Sequence, residues 1–176
     1  MVLLAALVSL GCVLASVRRL LLALEPGGVD AEALLPSLRD ADALVRVRSA
    51  LEASGLRGGA AALLHATGEE DASYRAARID EELLEVDWTM QRWARVPRVT
   101  ASIATSGGFL CACVLMIRAL SGTEELPLAA ALGALGLGLA GASFCAAVHV
   151  RMRGLVRVRR TASDRLVERL RALTAP

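Results

Sequence analysis

Three long stretches without Asp, Glu, Lys or Arg decide what this chain can fold into: Val2 to Val17, Val99 to Ile117 and Leu126 to Val150. A helix needs about 20 apolar residues to cross the hydrocarbon of a bilayer. Only a helix or a closed barrel satisfies its backbone there. No segment shows the alternation of a half-buried strand, so the stretches read as helices. The first is the shortest. Leu20 to Leu24 extend it beyond Arg18 and Arg19, whose side chains can snorkel to the headgroups. A signal peptide would carry its charge before the apolar run. Here the two arginines follow it, and a retained spanning helix is expected.

Composition agrees with this reading. The apolar fraction is 55%, the mean hydropathy is +0.52, and the aromatic fraction is only 3%, so Leu, Ala and Val carry the apolar character. The net charge of +2 and the lack of aromatics among basic residues give no reason to expect nucleic acid. All 20 basic residues are arginine, which reads as coding bias rather than chemistry.

Those arginines set the expected orientation. Arg18 and Arg19 follow the first run. Arg92, Arg95 and Arg98 precede the second. Arg151, Arg153, Arg157, Arg159 and Arg160 follow the third. By the positive-inside rule all these flanks are cytoplasmic. Glu124 and Glu125, with a single Arg118, occupy the one hairpin on the far side. The N-terminus is therefore expected outside and the C-terminus inside.

The expected fold class is an all-α membrane protein with three transmembrane helices, a helical cytoplasmic segment and long helices extending into the cytoplasm. The predicted segments are a first span over residues 1–24, a cytoplasmic helical segment over 25–98 and a second span over 99–119. A short periplasmic loop over 120–126, a third span over 127–150 and a cytoplasmic C-terminal helix over 151–176 complete them.

Within the cytoplasmic segment, Pro26-Gly27-Gly28 breaks the chain, and Asp30 is a predicted N-cap for a helix through Arg39. Ala43 to Ala53 reads as a helix ended by Ser54-Gly55, and Ala60 to Ala66 as a short one after Gly58-Gly59. From about Ala72, Ile79, Leu83, Val86 and Met90 fall at helical spacing. Pro97 either kinks that helix or starts a new one.

Few residues offer chemistry. Cys12, Cys111, Cys113 and Cys145 lie in apolar runs and read as small residues at helix contacts. No nucleotide loop, nucleophile elbow or metalloprotease motif occurs. No catalytic residue, metal site, cofactor or enzyme activity is expected. His65 reads as a surface or packing residue, and His149 as an interfacial one near the end of the third span. In that span Ala130, Ala134, Gly138, Ala142 and Ala146 recur every fourth residue, with Gly133, Gly136 and Gly141 nearby. Such a face lets another helix approach closely, in an oligomer or in a tight hairpin. Ala134, Gly138 and Ala142 are the helix-packing candidates. In the second span, Ser102, Thr105 and Ser106 either line a polar passage or bond back to their own helix.

This arrangement resembles the MotA/TolQ/ExbB proton-channel family. The residues that carry the resemblance are Ile79-Asp-Glu-Glu-Leu-Leu-Glu-Val-Asp, Thr100-Ala-Ser-Ile-Ala-Thr and Gly138-Leu-Ala-Gly-Ala. The resemblance implies a pentamer around a single-span partner of the ExbD/TolR/MotB type, in a bacterial inner membrane, coupling proton flow to transport or mechanical work. It places Ala112 and Leu135 where conducting members have threonines, and no span carries an acidic residue. The channel-lining candidates are Thr105, Ser106, Ala112 and Leu135. The competing expectation is a non-conducting membrane anchor or adaptor. Its cytoplasmic helices would bind a soluble partner, and its basic tail would meet anionic lipid or protein.

Overall fold

The computed structural model describes residues 1–24, 30–55, 59–121 and 128–174. Its elements are α1 (Val2–Leu24), α2 (Ala31–Leu34), a 3-10 turn (Leu35–Ser37), α3 (Ala41–Ser54), α4 (Ala60–Ala66), α5 (Ala72–Leu120) and α6 (Leu128–Thr174). The protein is an all-α membrane protein: α1, α5 and α6 are each long and apolar enough to cross a bilayer. The predicted breaks at Pro26-Gly27-Gly28 and at Gly58, and the loop with Glu124 and Glu125, lie outside the described residues.

Local chemistry sets the helix ends. Asp30 accepts from the Glu32 N–H at 3.3 Å and opens α2. The helix predicted to reach Arg39 stops at Leu34, because Pro36 has no N–H to continue the ladder. Asp40 accepts from the Ala43 N–H at 2.7 Å, so α3 begins two residues before its predicted start. Gly55 ends it in the left-handed region, at φ +70°.

Two predicted boundaries dissolve. Pro97 sits inside α5, which runs 49 residues without interruption from Ala72 to Leu120. The C-terminal amphipathic helix is no separate element. It is the continuation of α6, a 47-residue helix that passes through Gly154. No residue between Val150 and Leu155 breaks the hydrogen-bond ladder, and one glycine costs a helix only about 1 kcal/mol.

The chain forms two compact units. The first comprises Met1–Leu22 with Trp93–Arg153, and the second Ala23–Arg92 with Gly154–Pro176. Unit 1 is a three-helix bundle. Its buried positions are Ala5, Ser9, Cys12 and Ser16 on α1, then Pro97, Thr100, Ala104, Gly108, Cys111 and Leu115 on α5. On α6 they are Ala131, Ala134, Gly138, Gly141, Cys145, Val148 and Met152. Steps of three and four alternate along α6, which is a heptad seam. The large side chains turn outward, as Leu3, Leu7, Leu10 and Leu14 do on α1.

Unit 2 has a core of the opposite kind. Leu34, Leu38, Leu44, Leu51, Leu63 and Leu64 pack with Ile79 of α5 and Leu166, Val167 and Leu170 of α6. Main-chain carbonyls at its loops are held by arginines. Arg169 donates to the Leu38 and Arg39 carbonyls at 3.0 and 2.7 Å. Arg75 donates to the carbonyls of Glu69, Glu70 and Thr174. Arg171 pairs with Asp80 at 2.6 Å and Arg160 with Asp87 at 3.6 Å.

Candidate functional site

In unit 1 the small residues of the seam bring backbones together. A Cβ on Gly138 would lie 2.8 Å from the Gly108 Cα and 2.8 Å from the Ala104 carbonyl oxygen. One on Gly141 would collide with the Ser9 side chain. At Gly138 the near atoms are backbone, so any larger residue would have to push a helix away, whereas at Gly141 the Ser9 hydroxyl would have to leave its place. Ala134 is fully buried beside the same crossing, and Ala142 is half-buried against Cys12, Ala104 and Cys145. The helix-packing candidates thus lie on or beside the contact between α5 and α6 of one chain. The every-fourth-residue stripe does not follow that contact for long. Ala134 and Gly138 lie on it, Ala130 and Ala142 beside it, and Ala146 faces outward. A step of four residues turns a helix by about 400°, so such a stripe drifts about 40° per step while the contact stays straight.

The seam carries a knot of hydroxyls and a thiol. Ser16 is fully buried, and its Oγ lies 2.7 Å from Thr100 Oγ1, 2.9 Å from the Cys12 carbonyl and 3.2 Å from Cys145 Sγ. Thr100 Oγ1 also reaches the carbonyls of Val96 and Pro97, at 3.1 and 3.0 Å. Each hydroxyl has one proton, and carbonyls only accept. Two arrangements satisfy both groups. Thr100 donates to its own helix while Ser16 donates to Thr100, or Thr100 donates to Ser16 while Ser16 donates to the Cys12 carbonyl. Ser9 adds a bond to the Leu137 carbonyl at 3.0 Å. These bonds tie α1 to both other helices and fix their heights. Each such interhelical bond contributes about 0.6 kcal/mol, and up to about 1.7.

His149 is half-buried, and its Nδ1 lies 2.9 Å from the Ala94 carbonyl. The carbonyl can only accept, so Nδ1 carries a proton. Both the Nδ1–H tautomer and the imidazolium meet that requirement. The contact falls one turn before Pro97, where α5 lacks a donor. His149 therefore ties α6 to α5 beside the proline.

The channel-lining candidates separate. Thr105 and Ser106 are exposed on the outside of unit 1, as is Ser102. Thr105 donates back to the Ala101 carbonyl at 3.0 Å. Ser102 and Ser106 make no side-chain hydrogen bond with any described residue. Ala112 is half-buried against the cluster of Ala5, Cys111, Leu115, Ala131 and Ala134, and Leu135 is half-buried too. The structure brings none of these four into a shared polar lining within one chain. Among the described residues no three His, Cys, Asp or Glu side chains gather as a metal site would require.

Sequence reasoning missed Ser9 and Ser16; Cys145 it read as a small residue at a helix contact, where the structure puts it, but not as a partner of Ser16. The signal of the two serines was present: Ala5, Ser9, Cys12 and Ser16 repeat in steps of four, three and four. It is a heptad of small residues on the first span, the partner of the one on the third. In comparisons with known proteins, no protein-family model, curated protein or solved structure matches the chain.

Proposed function

We propose that this chain is a scaffold subunit of a bacterial inner-membrane complex, assembled as a homo-oligomer around a single-span partner in the manner of MotA/TolQ/ExbB proteins. One observation carries the reading. Ser102 and Ser106 face out of the three-helix unit, in the half of the second span nearer the arginines, and make no side-chain hydrogen bond with any described residue. A polar group facing hydrocarbon is costly, and in membranes such groups serve as contacts between helices. Their face is therefore the one on which a neighbouring helix sits. The architecture supports it: α5 and α6 continue unbroken from their apolar halves into a second helical unit, and three short helices are inserted between α1 and α5. The arginine flanks support a cytoplasmic side for that second unit and the C-terminus, by the positive-inside rule. Proton conduction is outside the proposal, because Ala112 and Leu135 offer no exchangeable group.

The test is native mass spectrometry of the intact protein in mild detergent. A single homo-oligomer is expected, with a single-span protein bearing an intramembrane Asp bound to it. Ser102→Leu together with Ser106→Leu should dissociate the oligomer and leave the helix content unchanged. A strict monomer overturns the proposal.

The second reading, a non-conducting adaptor, is favoured by a different observation. Ala134 and Gly138, the residues best suited to close helix contact, are already occupied inside one chain. It expects a monomer that retains a soluble cytoplasmic protein.

A further inference from the structure

Heights along unit 1 can be counted from its hydrogen bonds. Ser16, Thr100 and Cys145 meet, so they mark one level on α1, α5 and α6. Ser9 reaches Leu137, and Val8 lies beside Gly107, so α1 and α6 run one way and α5 the other. A helix rises about 1.5 Å per residue. On that scale Arg18 and Arg19 lie about 3–5 Å past the level, Arg98 about 3 Å and Arg95 about 8 Å. Arg151 and Arg153 lie about 9 and 12 Å past it, on the same side. On the other side, the helices run about 25 Å to Ile117 and Leu128 without a charged residue. The level thus falls near one edge of the roughly 30 Å hydrocarbon. The six arginines spread over about 9 Å, close to the thickness of one headgroup layer, roughly 5–8 Å.

No described residue partners these arginines. Five are exposed and Arg19 is half-buried. None makes an ion pair or hydrogen bond with a described residue. The sequence of unit 1 holds two carboxylates, Glu124 and Glu125, which lie outside the described residues; the described residues of the unit include none. In unit 2, Arg48, Arg75, Arg78, Arg160, Arg169 and Arg171 bond to carboxylates or carbonyls, whereas Arg39, Arg46, Arg157, Arg159 and Arg165 make no side-chain ion pair or hydrogen bond with a described residue and stand in a unit whose sequence is net negative.

We propose that this collar binds the headgroups of anionic phospholipids, and that such lipids stabilise the three-helix unit. The ligand must be anionic, must lie at the membrane surface and must surround the bundle. A helix turns 100° per residue. Neighbours such as Arg18 and Arg19, or Arg151 and Arg153, therefore fan out to different sides. One small anion would meet only one or two of them, whereas a ring of phosphodiesters meets all. The inference needs only the three spans and stands apart from the oligomer and partner readings.

The experiment uses the intact protein in mild detergent, titrated with dioleoyl phosphatidylglycerol, dioleoyl phosphatidylcholine or inorganic phosphate. Thermal midpoint is read, because a ligand that binds the folded state raises it. Phosphatidylglycerol should raise the midpoint, and 0.5 M salt should diminish the effect. Phosphatidylcholine and phosphate should not raise it. Each arginine near an anionic surface contributes about fivefold in affinity. The pairs Arg95→Gln with Arg98→Gln, and Arg151→Gln with Arg153→Gln, should each weaken the lipid response roughly 30-fold. Arg46→Gln with Arg165→Gln, in unit 2, should leave it intact. Equal effects of the two lipids, an equal effect of phosphate, or an equal loss in the unit 2 variant overturns the proposal. Should a collar variant fail to fold, native mass spectrometry of the unmutated protein in an equimolar lipid mixture decides. Retention of phosphatidylglycerol over phosphatidylcholine supports the collar, and equal retention overturns it.

Discussion

The helices α5 and α6 run through both units, yet they are packed by different residues in each. In unit 1 the buried positions of α6 are Ala131, Ala134, Gly138, Gly141 and Cys145 before the larger Val148 and Met152. In unit 2 the same helix buries Ala162, Ser163, Leu166, Val167 and Leu170. Charge divides the same way. The sequence of unit 1 holds seven arginines and two carboxylates, net +5, and that of unit 2 thirteen arginines and sixteen carboxylates, net −3. The difference follows from the surrounding solvent. Lipid gives no hydrophobic gain for burying leucine, so helices there meet through close backbone approach and interhelical hydrogen bonds. Water gives that gain, so unit 2 buries its leucines and puts charge outside.

The largest test of this contrast is steric. Gly138→Leu should cost about 3 kcal/mol or more, because the new side chain meets backbone that cannot rotate away. Gly154→Leu, at a glycine on the same helix with nothing within 4 Å, should leave the protein folded. Thermal unfolding in detergent compares them; equal effects would break the idea of a glycine-dependent seam. Next in size is Leu166→Ala, a fully buried side chain of unit 2, expected to cost about 2–5 kcal/mol. Amide exchange should quicken in unit 2 and stay slow at the Gly108–Gly138 crossing. Ser16→Ala is smaller, about 1 kcal/mol, since each membrane hydrogen bond contributes little. It should loosen α1 from α5 and α6 while those two stay paired, read as faster exchange in α1 alone. The smallest effect is at Asp71, at the start of α5. The Ser73 hydroxyl, then the Ser73 and Tyr74 N–H groups, bond to its carboxylate and lower its pKa. A lowered folded pKa means that the cap is fully present above the ordinary Asp value of about 3.9 and is lost as pH falls through the folded value. Exchange at Ser73 and Tyr74 should quicken only below that value.

The spans were legible because charge is excluded from hydrocarbon whatever the packing, so three uncharged runs can be found by inspection. Asp30 was legible as a cap because its bond is local. The apolar period Ile79, Leu83, Val86 and Met90 marked the buried side of α5 in unit 2, where Ile79 is fully buried and the others half-buried. The stripe on α6 was only half legible. Small residues fill so much of that span that several stripes can be drawn through it, and spacing alone does not choose one. Ser16 and Cys145 were harder still, since they are 129 residues apart and no local rule pairs them.

By itself, the sequence determined that the chain is helical, that three of its helices can cross a membrane and where its arginines gather. These follow from solvation, which acts on each residue separately. Tertiary structure decided which small residues touch, that Gly108 faces Gly138, that Ser16 joins Thr100 and Cys145, and that Ser102 and Ser106 face outward. Those depend on how one helix is rotated against another. In lipid that rotation is chosen by the fit of backbones rather than by burial of apolar surface.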